Sequence, residues 1–329
     1  DALPNINNHY GKTLIFSTLS DIFLSLKNME QAEEYLEKSI EQADLTDNSH
    51  ITAFTLNNKG NFLFADGDDY GAITAYEKCY EKCVEITEPS ADILGLASKC
   101  SINKLRAKLE SETDENIVSE LAHAISQAGR QPNSHSKSSD FITLSILAQK
   151  IGKKPDYSHR INPSLVYSLL SKAIKIAEHT QDIRMACYAY GYMGNLYENE
   201  EQYTEAIQLT RNAIFTAQQG HFPELLYLWQ WQLGRLFKTE GDIDSAVSTY
   251  KDAVNILTPG SQACETCEND DSDKTYSPGI INELFKGYRK SRRLTFDEKV
   301  KPVYLELAEL LMQQANTVQD GKENKLLEI

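Results

Sequence analysis

The residues in this chain best spaced for chemistry are two cysteines, Cys264 and Cys267 in "CETCENDDSDK", the only CxxC in the sequence. A structural zinc site needs four ligands, and this pair supplies at most two. A dithiol redox site of this type needs a strand before the motif and a helix after it, and the flanking residues suggest neither. Three readings stay open: loop cysteines without a special role, a disulfide when oxidised, and half of a metal site. The seven His residues are scattered, with none at i,i+3 or i,i+4 from another, and GxSxG, GxxxxGK[ST] and GxGxxG are all absent. We expect no catalytic residue, no metal and no cofactor.

The other cysteines read as structural. Cys79 and Cys83 stand i,i+4 on an expected helix, where two side chains run roughly parallel and rarely reach disulfide geometry. Cys100 and Cys187 lie in apolar helical settings and are expected as small core residues. A basic cluster, Lys286, Arg289, Lys290, Arg292 and Arg293, follows the acidic CxxC segment. It reads as a solvated helix face neutralised by its neighbour, or as a docking patch.

Composition sets the class. The chain has 329 residues, 41% hydrophobic, enough for a sizeable core. Lys and Arg total 33 against 48 Asp and Glu, a formal charge of −15. That charge repels phosphate backbones, so nucleic acid and anionic membranes are not expected as partners. No apolar run reaches the ~18 residues of a membrane span. The sequence opens at Asp1 without an initiator Met, as expected of a processed form or an excised piece. Nine Pro and 16 Gly are few for this length and favour helices.

Helices must then position whatever function there is, and they recur. "QLGRLFKTEGDIDSAVSTYKDAV" places Gly234, Phe237, Ala246, Tyr250 and Ala253 in the frame that "YMGNLYENEEQYTEAIQLTRNAI" fills, 40 residues earlier, with Gly194, Tyr197, Ala206 and Ala213. Gly60, Leu63, Gly67, Ala72, Tyr76 and Cys79 repeat the pattern, and so do Ser20, Phe23, Ala32, Leu36 and Ser39, again 40 residues before. Small residues at a helix crossing let two backbones approach, and the large one fills the gap to the next unit. Ala32, Ala72, Ala206 and Ala246 should therefore be buried at crossings, with Gly241-Asp242 as a turn. Between 90 and 180 the pattern blurs into two expected hairpins, separated within the second by "GKKPDYSHRINP".

This pattern resembles the tetratricopeptide repeat, with Leu233-Gly234-x-x-Phe237 on the first helix and Ala246-x-x-x-Tyr250-x-x-Ala253 on the second. The resemblance implies an all-α fold, a right-handed superhelix of antiparallel helix hairpins, here with a 40-residue spacing instead of the family's 34. It implies a concave face built by the first helix of each hairpin, through positions 2, 5, 9 and 12. Those positions carry Phe54, Asn57, Asn61 and Phe64; Tyr188, Asn195 and Glu198; and Leu228, Trp231, Arg235 and Lys238. Asn61 and Asn195 would pair with the backbone of an extended peptide, because an amide both donates and accepts. Trp231 and Tyr188 would be aromatic anchors, and Arg235 would grip a carboxylate.

Organisation follows from the same frame: an array over 1–258, an acidic flexible linker over 259–279, and capping helices over 280–329. In the last, Val300, Tyr304, Leu307 and Leu311 form a capping stripe, while Val303 and Leu310 widen the apolar arc toward a second contact. "PVYLELAELL" resembles the segment that closes the array in bacterial proteins carrying a CHAT domain, a caspase- and separase-like peptidase fold. That resemblance implies a catalytic domain downstream of this chain; the compartment stays open, the bacterial cytoplasm slightly favoured over a secreted or periplasmic place. The leading expectation is a non-catalytic scaffold that holds a protein or peptide in its groove. The alternative is the regulatory half of a CHAT-type cysteine protease, with that domain as its partner.

Overall fold

A computed structural model describes residues 8–111, 116–157, 159–257 and 300–327, with side chains up to residue 315 in the last segment. The CxxC, the basic cluster and the expected 259–279 linker lie outside the described residues. Every regular element among those described is an α-helix. In order they are α1 (His9–Ser25), α2 (Met29–Asp44), α3 (Ser49–Asp66), α4 (Asp69–Val84), α5 (Ala91–Glu110), α6 (Ile117–Arg130), α7 (His135–Gly152), α8 (Pro163–His179), α9 (Ile183–Asn199), α10 (Tyr203–Gln219), α11 (Pro223–Glu240), α12 (Ile243–Leu257) and α13 (Lys301–Leu327).

Helix starts explain the long period. Asn8, Asn28, Asn48 and Asp68 precede α1 to α4 at intervals of 20 residues, and each side chain accepts a backbone N–H of the first turn. Positions 182, 202, 222 and 242 keep the same interval before α9 to α12. The residue before six of these starts is left-handed: Lys27, Gly67, Gln181, Glu201, His221 and Gly241. At each of the six the following N–H bonds back to a carbonyl five residues earlier, as in Asn28 to Phe23 at 2.9 Å and Asp242 to Phe237 at 3.0 Å. That closure satisfies the last carbonyls of one helix and reverses the chain in two residues. Four of the six are not glycine, although a left-handed L-residue costs about 1–2 kcal/mol.

By contacts the described residues form two compact units, one ending at Ile176 and one beginning at Ala177 that includes α13. In the first, α1 packs on α2, α3 on α4, and α5 on α4, α6 and α7. Ser138 Oγ donates to the Ala173 carbonyl at 3.0 Å, joining α7 to α8. The blurred middle is thus four helices, α5 to α8, with α5 packed on α6 and α7 bonded to α8. In the second unit α9 pairs with α10 and α11 with α12, while α13 lies on α12.

Crossings have the expected chemistry. Ala32, Ala72, Ala206 and Ala246 are all fully buried. A Cβ on Gly234 would stand 2.5 Å from the Tyr250 ring, and one on Gly60 2.5 Å from that of Tyr76, so only glycine permits these contacts. One cysteine expectation fails: Cys79 on α4 and Cys100 on α5 form a disulfide, their Cα atoms 6.3 Å apart. Neighbouring antiparallel helices, not the i,i+4 pair on one helix, bring the sulfurs together. Cys187 is buried as expected, and burial pushes its thiol up to about 12.

Candidate partner-binding face

In the first unit the face begins with α3. Phe54 is half-buried and packs on the cluster of Ala53, Cys79, Ile93 and Cys100. Asn57, Asn61 and Phe64 are buried, and the expectation that they are exposed is wrong. The Tyr76 hydroxyl donates to Asn61 Oδ1 at 3.0 Å. Asn103 on α5 sends its Nδ2 toward Asn57 Oδ1 at 3.2 Å and Asn61 Oδ1 at 3.4 Å. Buried amides need partners, and both Asn oxygens have one inside the fold. Asn103 was not singled out in the sequence because no repeat position predicts it; the chemistry that could have pointed to it is the need of Asn57 and Asn61 for a donor.

Farther along this unit, a buried carboxylate joins three segments. Asp140 on α7 accepts from Ser98 Oγ at 2.6 Å and from Gln131 Nε2 at 2.7 Å. Burial raises its pKa from the ordinary carboxylate value, against the lowering by both hydrogen bonds and by Lys99.

The second unit builds its face from α9, α11 and α13. Tyr188 is fully buried and its hydroxyl has no hydrogen-bond partner among the described residues, so it is a core residue and not an accessible anchor. Its ring stacks on that of Tyr192, one turn on along α9, with the centroids 6.4 Å apart. Asn195, Glu198, Leu228, Trp231, Arg235 and Lys238 are half-buried. Arg235 meets Glu198 through Nε at 3.2 Å and through an NH2 nitrogen also at 3.2 Å, a two-point contact between α11 and α9. The same guanidinium lies 4.8 Å from the centre of the Trp231 ring, within cation–π range. Trp231 Nε1 donates to Glu306 of α13 at 2.9 Å, and the Tyr250 hydroxyl donates to the same carboxylate oxygen. Lys238 reaches Glu309 at 3.6 Å. Asn195 Nδ2 points to Glu198 at 3.4 Å, and Asn195 accepts from Asn199.

A ladder of alternating charge with one indole thus runs across three successive first helices. Glu306, which closes it, was missed; its place in "YLELAELL", in register with Gln232 of α11, was the available sign. The two-point Arg235 contact is made with the protein's own Glu198. Among the described residues no group of three or more His, Cys, Asp or Glu is placed to hold a metal ion. No described helix is long and apolar enough to cross a membrane.

The tetratricopeptide repeat profile matches residues 15–44 and 230–256, which are the hairpins α1–α2 and α11–α12. Among solved structures the chain is similar to a signal transduction ATPase with a tetratricopeptide repeat sensor from Pyrococcus horikoshii, with a TM-score of 0.56 and 18% identity, over 77% of this chain and 37% of that one. BtubC from P. vanneervenii matches with a TM-score of 0.52 and 12% identity, over 80% of this chain and 99% of the other. A Rap protein complexed with competence and sporulation factor matches with a TM-score of 0.50 and 11% identity, over 93% and 76% of the two chains. No curated protein sequence matches this chain. At these identities the likeness is one of fold. The chain carries tetratricopeptide repeats at 15–44 and 230–256, and each of its two units is all-α and built of the helix hairpins that such repeats form.

Proposed function

We propose that this chain is a non-catalytic scaffold and that the first-helix face of its second unit binds an extended segment of a protein partner. The observation that carries this reading is the ladder Glu198–Arg235–Trp231–Glu306, whose members are half-buried and hold one another in fixed positions. Pre-set side chains lose little entropy on binding, and Trp and Arg are the residue types most often dominant at interfaces. A Rap protein of similar fold was solved in complex with competence and sporulation factor, which supports the binding of a partner by such a fold. Asn195 is the remaining amide for a peptide backbone, since Asn57 and Asn61 are occupied internally.

The test is capture of a partner from a lysate of the source organism, followed by titration of the captured protein. Trp231→Ala should weaken binding by about 2 kcal/mol, roughly thirtyfold, as for an interface anchor. Phe215→Ala on α10 removes an exposed aromatic from a second helix and should change nothing. The opposite pattern would remove the reading.

A second reading rests on the sequence alone: "PVYLELAELL" resembles the array-closing segment of CHAT-containing proteins, which would suit the regulatory part of a cysteine protease. The reading frame beyond Ile329 tests it: a CHAT-type His and Cys pair supports it, and any other domain removes it. The Cys79–Cys100 bond speaks for an oxidising compartment over the cytoplasm, because cytosolic thiols are kept reduced. Counting free thiols in protein purified without reductant decides that point.

A further inference from the structure

α13 repeats the sequence of α11 in a frame 74 residues on. Val303, Leu307, Ala308, Leu310 and Leu311 take the places of Trp229, Leu233, Gly234, Leu236 and Phe237. The inner half of that correspondence is realised. Val303 and Leu310 are fully buried against Ala246, Val247, Tyr250 and Ala253, as Trp229 and Leu236 are buried within their own unit. Those two residues cap α12, and the expectation that they face a second contact is wrong.

Among the described residues the outer half has no cover. In α11 the corresponding face is covered by α12: Tyr250 lies over Gly234, and Phe237 packs into the same cluster. On α13, Ala308, Leu311, Met312 and Ala315 are all exposed, Leu311 by 38% and Met312 by 60%. Their spacing, i, i+3, i+4 and i+7, makes one continuous apolar stripe along a helix.

We propose that this stripe is a docking site for one partner helix of defined chemistry, the second helix of a tetratricopeptide hairpin with an aliphatic central residue. The register supplies the occupant's place, because the pairing continues the one already made by α11 with α12. The residue at the crossing supplies its chemistry. Gly60 and Gly234 face tyrosine rings so closely that a Cβ has no room. Ala308 has a Cβ, so a tyrosine cannot lie on it in that way. The hairpin with a Cβ at this position is α1–α2, where Ser20 sits at the crossing. Its α2 presents Ala32, Leu36 and Ser39, all buried. The occupant should therefore read small-x3-Leu-x2-small. A second copy of α13 offers Ala308, Met312 and Ala315 at the same spacing, with Met in place of Leu, and is the competing occupant.

The experiment titrates the full chain with a helix-stapled, fluorescent peptide of residues 28–45, beside the same peptide carrying Leu36→Tyr. Saturable binding is expected, weaker by at least threefold for the tyrosine peptide. Leu311→Glu or Ala308→Arg in the full chain should reduce it tenfold or more. Both positions are exposed, so an unchanged circular dichroism melt confirms that the variants fold. A second measurement appends the same helix after Ile329 through a Gly/Ser linker, which replaces weak association by a high local concentration. Its Tm should rise, and Ala308→Arg should abolish the rise. Failure of both measurements overturns the proposal. So does a dimer of the chain that Leu311→Glu converts to monomer, which assigns the face to a second copy.

Discussion

The first-helix faces of the two units fill equivalent repeat positions with opposite chemistry. At positions 5 and 9, α3 places Asn57 and Asn61, and α11 places Trp231 and Arg235. The asparagines are buried in a neutral network with Tyr76 and Asn103, whereas Trp231 and Arg235 are half-buried among Glu198 and Glu306. A neutral amide can be closed off at the cost of one hydrogen bond, while a charge pair stays near solvent to avoid a large desolvation penalty. Repeat position thus says where a side chain starts, and its neighbours decide whether it is accessible.

The sharpest way to break this comparison is to remove the tyrosine behind each face. Tyr76→Ala and Tyr250→Ala should each cost about 3–5 kcal/mol, the range for deleting a large buried side chain. Chemical denaturation measures both. Only Tyr250→Ala should also loosen α13, read as faster hydrogen exchange over 303–310, because Tyr250 packs on that helix and donates to Glu306.

A smaller effect tests the staple that, among the described residues, is confined to the first unit. Reducing Cys79–Cys100 should lower its stability by about 2–4 kcal/mol, the usual value of a native cross-link. The helices α9 to α12, where Cys187 is a free buried thiol, should melt unchanged. Equal shifts in both units, or none, would remove the distinction.

Smaller still are the two asparagines once paired as equals. Asn61→Ala leaves the buried Tyr76 hydroxyl short of an acceptor and should cost about 1–3 kcal/mol. Asn195→Ala, half-buried and bonded within its own turn, should stay within about 0.5 kcal/mol. If the two cost the same, Asn61 is not the internal acceptor described.

The smallest prediction is a pH dependence confined to the first unit. Asp140 has a raised pKa in the fold, so the native state holds its proton more firmly than the unfolded chain does. Its contribution is most favourable below the ordinary carboxylate pKa and is lost as pH rises through the raised native value. Asp140→Asn should flatten Tm over that window and leave stability at neutral pH equal or higher, with Ser98 and Gln131 still able to bond the amide oxygen.

The period, the helix class and the crossings were legible in the residues themselves. Gly60, Gly234 and the four alanines are small because two backbones must touch, and that demand shows in any one hairpin. The turns were half legible: Gly67 and Gly241 announce a left-handed residue, while Lys27, Gln181, Glu201 and His221 give no sign, because their cost is borne by the bonds the turn closes. Burial of the face residues was not legible, since it depends on a neighbour some 40 residues away, as with Asn103 for Asn57 and Asn61. The Cys79–Cys100 bond and the seat of Glu306 on Trp231 likewise exist only where separate helices meet. Periodicity along one helix is a local property of the chain. Which partner a side chain meets across a helix interface is decided only when the hairpins stack, by the packing that sets their distance and register.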